Sequence, residues 1–191
     1  MRVIAGKLRG RRMQAPEGER TRPMLDRVRE ALFATLRPWL ADARVLDLFA
    51  GSGTLGIEAL SRGARYVRFV ERGAAAFACL TSNVATLGLA GTCACVRADA
   101  LEAGSWGATL LDVVFFDPPY ALLDEPPSRR RVFEVIAEIV AQHLTSTGVL
   151  VFHAPRRAVM AAEFGSGLDA RERSYGTNAL WYVQPSSQPS G

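Results

Sequence analysis

From Pro38 onward the chain alternates short apolar runs of strand character with helix-length segments. That alternation restricts it to an α/β fold in which a parallel sheet is covered on both faces. The strand-like runs are 44–49, 66–70, 93–97, 112–116 and 149–153. Between them, 55–61 reads as a helix stopped at Gly63, and Phe77, Leu80, Val84 and Leu87 form a helical stripe that ends at Gly88. Val132, Val135, Ile136, Ile139 and Val140 mark a third helix over about 130–144, a weaker helical segment follows Pro155, and 171–184 reads as a closing hairpin. Upstream, Leu25, Val28, Leu32 and Leu36 recur at helical spacing, with Thr21 as a cap and Pro23 in the first turn. Residues 2–15 place small apolar and basic residues around Gly6 and Gly10, which predicts a short hairpin. The expected organisation is a basic hairpin-and-helix extension over 1–40, one α/β domain over 41–184 and a disordered tail over 185–191. With 191 residues there is room for one sizeable core and not for two.

No apolar run approaches the roughly 20 residues needed to span a bilayer, and the start lacks the apolar stretch of a signal peptide. A cytoplasmic protein with no membrane partner is expected. Cys79, Cys93 and Cys95 are an odd number without CxxC spacing, so they read as buried thiols. His143 and His153 are the only histidines and neither lies near an acid or cysteine cluster in sequence, so no metal is expected. The net charge of +4 is modest, yet residues 1–40 hold ten Lys or Arg against four acids. Basic character is thus concentrated at the N-terminus, as suits contact with a polyanion. The Arg129-Arg130-Arg131 run reads as a solvated helix start.

The segment Asp47-Leu48-Phe49-Ala50-Gly51-Ser52-Gly53-Thr54-Leu55-Gly56 joins a strand to a helix. Glycines there let backbone amides approach a ligand, and a helix N-terminus favours negative groups. Gly51, Gly53 and Gly56 satisfy G-x-G-x-x-G and Glu71 follows at the distance of a ribose-binding acid, so a dinucleotide enzyme is one reading. Asp47 argues for another, because a carboxylate ahead of the loop repels a pyrophosphate and attracts the ammonium of an amino-acid moiety. S-adenosylmethionine carries that ammonium together with a sulfonium. Asp99, at the end of the third strand, falls where an acceptor can take the adenine amino group. The candidate cofactor set is therefore Asp47, Phe49, Gly51, Ser52, Gly53, Thr54, Glu71, Arg72, Asp99, Ala100 and Asp117.

Asp117-Pro118-Pro119-Tyr120 places a carboxylate, a rigid diproline and an aromatic ring directly after an apolar strand. The prolines remove donors, so carbonyls and the Asp117 carboxylate can form a rim made of acceptors. An exocyclic amino group offers only donors. Accepting its N–H bonds localises the nitrogen lone pair and aims it at a methyl donor. Tyr120 can stack on the base, and the expected catalytic residues are Asp117, Pro118, Pro119 and Tyr120.

Taken together, the glycine loop and Asp117–Tyr120 resemble amino-methyltransferases of DNA adenine, RNA guanine and protein glutamine. More narrowly, Arg2-Val3-Ile4-Ala5-Gly6, Arg9-Gly10-Arg11-Arg12, Thr21-Arg22-Pro23, Asp26-Arg27-Val28-Arg29-Glu30-Ala31-Leu32-Phe33, Leu46–Gly53, Glu58–Ala64, Asn83–Leu87 and Tyr175-Gly176 resemble the RsmD family of bacterial 16S rRNA guanine-N2 methyltransferases. The resemblance implies a Rossmann-like, seven-stranded, mostly parallel sheet with helices on both faces, the class I S-adenosylmethionine-dependent methyltransferase fold. It also implies 16S rRNA or the small ribosomal subunit as partner, a monomer, and RNA contacts from Arg2, Lys7, Arg9, Arg11, Arg12, Arg22, Arg27 and Arg29. The chain departs from the family at Met24-Leu25, where two threonines are common. The rival readings are a DNA adenine-N6 methyltransferase, against which the absence of an evident target-recognition domain counts, and a nicotinamide-dependent dehydrogenase.

Overall fold

The computed structural model describes residues 1–15, 24 and 26–186. Its elements are α1 (Asp26–Leu40), β1 (Arg44–Leu48), α2 (Thr54–Ser61), β2 (Tyr66–Val70), α3 (Ala74–Leu87), β3 (Cys93–Val96), β4 (Leu111–Phe116), α4 (Pro126–Gln142), β5 (Leu144–Pro155), β6 (Leu168–Tyr175) and β7 (Asn178–Pro185). The seven strands form one sheet in the order β3-β2-β1-β4-β5-β7-β6, in which the first five are parallel and β7 runs antiparallel to both its neighbours. This is the Rossmann-like sheet that the resemblance implies. No helix among the described residues is long and apolar enough to cross a membrane.

Strand alternation sends successive side chains to opposite faces, and each face has its own core. Val45, Val67, Phe69, Val113, Phe115, Val149 and Val151 pack under α1, α2 and α3, contributed by residues such as Leu32, Phe33, Ile57 and Leu80. Leu46, Leu48, Val114, Phe116, Leu150 and Phe152 pack under α4 through Val132, Ile136 and Ile139. The α1 helix, expected as part of an N-terminal extension, thus shares the central core.

The hairpin at the start forms as the glycine pattern predicts. Arg2 and Arg12 make an antiparallel bridge, and Val3 N–H donates to the Arg11 carbonyl at 3.1 Å. Rather than swinging free, it is clamped to α2 and α3. The buried Glu58 carboxylate accepts the Ile4 and Ala5 N–H groups at 2.8 and 3.0 Å and is paired with Arg62 at 2.7 Å. Gly6 has φ +83°, and a Cβ there would lie 1.9 Å from the Ser61 carbonyl oxygen, so only glycine permits this approach. Asn83 closes the junction: its Oδ1 accepts from Gln14 N–H at 2.8 Å, and its Nδ2 donates to the carbonyls of Gln14 and Ser52 at 3.1 and 3.0 Å.

Several boundaries differ from the sequence reading. α1 continues through Pro38 to Leu40, and its expected start at Thr21, Pro23 and Leu25 lies outside the described residues. α4 begins earlier, at Pro126, because prolines suit a first helical turn whose N–H groups have no intrahelical partner. β5 begins at Leu144, before a register irregularity against β4, in a polar Thr145-Ser146-Thr147 stretch that carries no strand signal. After Pro155 there is a single short 3-10 turn, Ala161–Phe164, in place of a helix. Pro185, expected in the tail, closes β7, and residues 187–191 lie outside the described ones. Cys79 is buried as expected, whereas Cys93 and Cys95 are half-buried on the edge strand β3.

Glu58→Ala strips the hairpin of its anchor and leaves two backbone donors unpaired. At roughly 1–3 kcal/mol for each stranded partner, it should cost several kcal/mol in denaturant unfolding and abolish slow hydrogen exchange at Ile4 and Ala5. Unchanged protection at those amides would contradict the clamp.

Candidate active site

Register brings the candidate residues to one end of the sheet. Leu48 pairs with Val70 and with Phe116, and Phe116 pairs with Phe152. The next residues on these four parallel strands are Phe49, Glu71, Asp117 and His153, so they stand in a row, the first three leaving the sheet and His153 still on β5 where it pairs with β7. β1 and β4 are neighbours whose following helices lie on opposite faces, and a crevice opens at such a switch point beyond the strand ends. Asp47, Glu71, Asp117 and His153 also share strand parity with Val45, Phe69, Phe115 and Val151, which assigns them to one face.

The loop after β1 turns sharply. Phe49 takes φ +58°, Gly51 +56° and Gly53 +83°. A Cβ on Gly53 would press into Leu80 at 2.5 Å and one on Gly56 into Phe69 at 2.3 Å, so those glycines let α2 sit close to the sheet and to α3. A Cβ on Gly51 would meet nothing within 4 Å. Asp47 is buried and its Oδ2 accepts from Gly56 N–H at 2.8 Å. Burial pushes its carboxyl well above the ordinary carboxylate range. The Gly56 hydrogen bond opposes that, and the nearby charges of Asp117 and Glu71 reinforce it. Glu71 accepts from Gly51 N–H at 2.9 Å and Gly73 N–H at 2.6 Å, which ties the second strand end to the loop.

Asp99 accepts from Leu101 N–H at 3.0 Å and pairs with the exposed Arg72 at 3.2 Å, with Ala100 buried beside it. Through Arg72, which follows Glu71, these residues are tied to the β2 side of the crevice. The Ser52 and Thr54 hydroxyls do not line it as freely as the sequence suggests. They lie 3.3 Å apart, and Thr54 donates to the Met1 sulfur at 2.9 Å, so the hairpin occupies them.

At the other border the Asp117–Tyr120 motif meets two residues that sequence reading did not single out. His153 Nδ1 lies 2.7 Å from Asp117 Oδ1, and its Nε2 lies 2.9 Å from Asn178 Oδ1. Tyr120 O–H donates to the same Asn178 oxygen at 3.3 Å, and its ring stands edge-on to the imidazole at 5.9 Å. A carboxylate accepts, so Nδ1 donates to Asp117 Oδ1, while Nε2 faces the Asn178 amide and the Tyr120 hydroxyl at 3.5 Å. Burial pulls the imidazole pKa down, but the hydrogen bond and charge of Asp117, aided by Asn178, outweigh it and leave His153 raised. Burial and the Asp117 charge likewise raise Tyr120, which stays a phenol at neutral pH. Asp117 Oδ2 takes no hydrogen bond from the described residues, Pro118 is buried, and Tyr120 is 43% exposed. What presents itself is one free carboxylate oxygen, a rigid diproline and an open aromatic face.

His153 could have been found from its place directly after the apolar run of β5, in the same register row as Asp117. Asn178 gives no such signal, because its partner strand runs antiparallel from a distant hairpin.

Arg2, Lys7, Arg9, Arg11, Arg12 and Arg27 are exposed, and the first five cluster on the hairpin. Arg29 does not join them. It is 1% exposed and donates to the Arg2 carbonyl and Asp26, so its expected contact with RNA is corrected to an internal tie between α1 and the hairpin. Arg22 lies outside the described residues. Arg129, expected in a solvated run, is instead partly buried, held by Glu163 at 2.7 Å and by the carbonyls of Leu123 and Ala158. Among the described residues no group of three or more His, Cys, Asp or Glu could hold a metal ion.

Comparison with known proteins gives the chain's family and fold. A family model described as "Conserved hypothetical protein 95" matches residues 1–184. "Putative rRNA methyltransferase YlbH" of Bacillus subtilis is 37% identical over 183 residues, covering 94% of this chain and 96% of that protein. "Ribosomal RNA small subunit methyltransferase D" of Escherichia coli is 43% identical over 127 residues, or 65% of this chain and 64% of that protein. Among solved structures, "Putative methyltransferase yhhF from Escherichia coli" superposes with a TM-score of 0.82 at 32% identity, covering 98% of this chain and 99% of that one. These matches bear out the resemblance to the RsmD family.

Asp47→Asn keeps an acceptor for Gly56 N–H and removes the buried charge. In the unfolded chain the carboxyl ionises near its ordinary 3.8, whereas in the folded chain it ionises well above that. The native protein therefore loses stability as pH rises from 3.8 through the raised value, and the loss persists at higher pH. The variant escapes that loss, so denaturation at a series of pH values should show it gaining on the native chain towards neutrality. A stability difference independent of pH would contradict the buried charge.

Proposed function

The chain belongs to the family described as conserved hypothetical protein 95, and from that membership we propose that it transfers a methyl group from S-adenosylmethionine to the exocyclic N2 of a guanine in 16S rRNA of the small ribosomal subunit. The observation that carries this reading is the pairing, across one crevice, of a cluster of acids with the acceptor rim at Asp117–Tyr120. Asp47, Glu71 and Asp117 lie close enough for their charges to oppose one another. Such a site suits a cationic ligand and not the pyrophosphate of a dinucleotide. The names of the two curated relatives support ribosomal RNA as the acceptor.

S-adenosylmethionine, when bound, supplies a methyl group made electrophilic by its sulfonium. Asp47 attracts the ammonium, Glu71 holds the ribose, and Asp99 with Ala100 and Arg72 borders the adenine. On the acceptor side Asp117 Oδ2 and the carbonyl of the diproline turn accept the two N–H bonds of the target amine, which keeps its lone pair out of the base ring. Tyr120 stacks on the base and fixes its plane. Orientation supplies most of the catalysis, and as the nitrogen–carbon bond forms and the carbon–sulfur bond breaks the surplus proton of the amine passes to solvent, so no dedicated general base is needed. Arg2, Lys7, Arg9, Arg11 and Arg12 on the hairpin, with Arg27, hold RNA phosphates and fix register without reading sequence. We place the enzyme in the cytoplasm, as a monomer.

The test is transfer of labelled methyl to small ribosomal subunits, naked ribosomal RNA and DNA, followed by mapping of the modified base. Label should appear at guanine N2 in 16S rRNA. Asp117→Ala should lower kcat roughly 100- to 1,000-fold, as expected when a transition-state hydrogen bond is lost. Arg9→Ala with Arg12→Ala should raise KM for the RNA and leave cofactor binding unchanged. Label confined to DNA adenine, or tight binding of NAD in place of S-adenosylmethionine, would overturn the assignment.

A further inference from the structure

We propose that His153 and Asn178 are positioning residues for Asp117, a relay that fixes which of its two carboxylate oxygens receives the target amine. The inference rests on the proposed methyl transfer and adds residues that neither the motif nor the comparisons assign.

Asp117 follows the last residue of β4, and its side chain is one-third exposed, so packing alone leaves its carboxylate free to rotate. The bond from His153 Nδ1 to Oδ1 removes that freedom, and at 2.7 Å it has the length of a charge-assisted hydrogen bond. His153 is itself fixed. It is 5% exposed, sits on β5 between Phe152 and Ala154 in the sheet core, and its far nitrogen is held by Asn178 at 2.9 Å. Asn178 opens β7 in register with Pro155, so the third member of the chain is anchored by the antiparallel strand.

The titratable groups facing the imidazole are Asp117 from the end of β4 and Tyr120 from the turn after it, while β7 contributes the neutral amide of Asn178. With Oδ1 committed to His153, Oδ2 remains for the amine, in a fixed direction. Tyr120 shares the Asn178 oxygen, so the stacking ring and the accepting carboxylate are set by the same two residues. The bond from Nδ1 engages Oδ1 as an acceptor, so the carboxylate meets the amine with Oδ2 as its remaining acceptor.

His153→Phe removes the donor while filling the space, and His153→Asn keeps an amide N–H where Nδ1 stood. The phenylalanine variant should lose roughly 10- to 100-fold in kcat on small ribosomal subunits, with the KM for RNA and the affinity for S-adenosylmethionine unchanged. The asparagine variant should recover most of that loss. A kcat within twofold of the native enzyme for His153→Phe, or equal losses in two folded variants, would overturn the role. Titration of the imidazole by NMR supplies an arm that needs neither reaction nor cofactor and does not depend on His153→Phe folding. Asp117→Asn should lower the His153 pKa, because the anion that raises it is gone. A titration unmoved by Asp117→Asn would overturn the relay. If the native enzyme methylates no RNA while the titration still responds, the proposed function fails and the pairing of the two side chains stands.

Discussion

Leu48 and Phe116 are register partners, so the residues that follow them, Phe49 and Asp117, leave the sheet side by side. Their chains then part, one into a helix under the first core and the other into a helix under the second. The remaining site features attach to that divergence. The end of β2 adds Glu71 on one flank and β5, just beyond its pairing with β4, adds His153 on the other, and the loop from β1 turns at once through left-handed backbone. A residue two places earlier on β1, Asp47, reaches the same space from within the sheet. The crevice therefore collects carboxylates, and burial, reinforced by the charges of Asp117 and Glu71, holds the Asp47 carboxyl well above the ordinary carboxylate range.

The N-terminal hairpin is fastened to this geometry. Its outer surface carries the exposed bases, while its inner edge is bound through Glu58 and Ser61 to α2 and through Asn83 to α3. Asn83 also holds the Ser52 carbonyl of the glycine loop, and the Met1 sulfur takes the Thr54 hydroxyl. The hairpin is thus one hydrogen bond away from the glycine loop. Arg29, buried beneath, spends its charge on holding the helix against the hairpin.

The parts of this arrangement that sequence reveals are those written in local pattern. Alternating apolar runs locate five of the strands, and the glycine loop and Asp117–Tyr120 announce the two sides of the crevice. Gly6 and Gly10 likewise reveal the hairpin. What stayed hidden depends on tertiary neighbours. His153 resembles any strand-end histidine until β5 is placed beside β4. Asn178 acquires meaning only from the antiparallel pairing of β7. Arg29 sits in a run of arginines that looks uniformly exposed, and only the packing of α1 against the hairpin separates it from the others. The Ser52 and Thr54 hydroxyls read as ligand contacts because nothing local shows that Met1 will reach them.

In the proposed reaction the acid cluster receives a cation. Calorimetry of S-adenosylmethionine binding between about pH 4 and pH 7, in buffers of different ionisation enthalpy, tests it directly. A cation placed beside Asp47 favours its charged form, so binding should release protons, with affinity rising as pH increases through this range. Affinity that is flat or falling with pH, with no net proton release, would contradict the account.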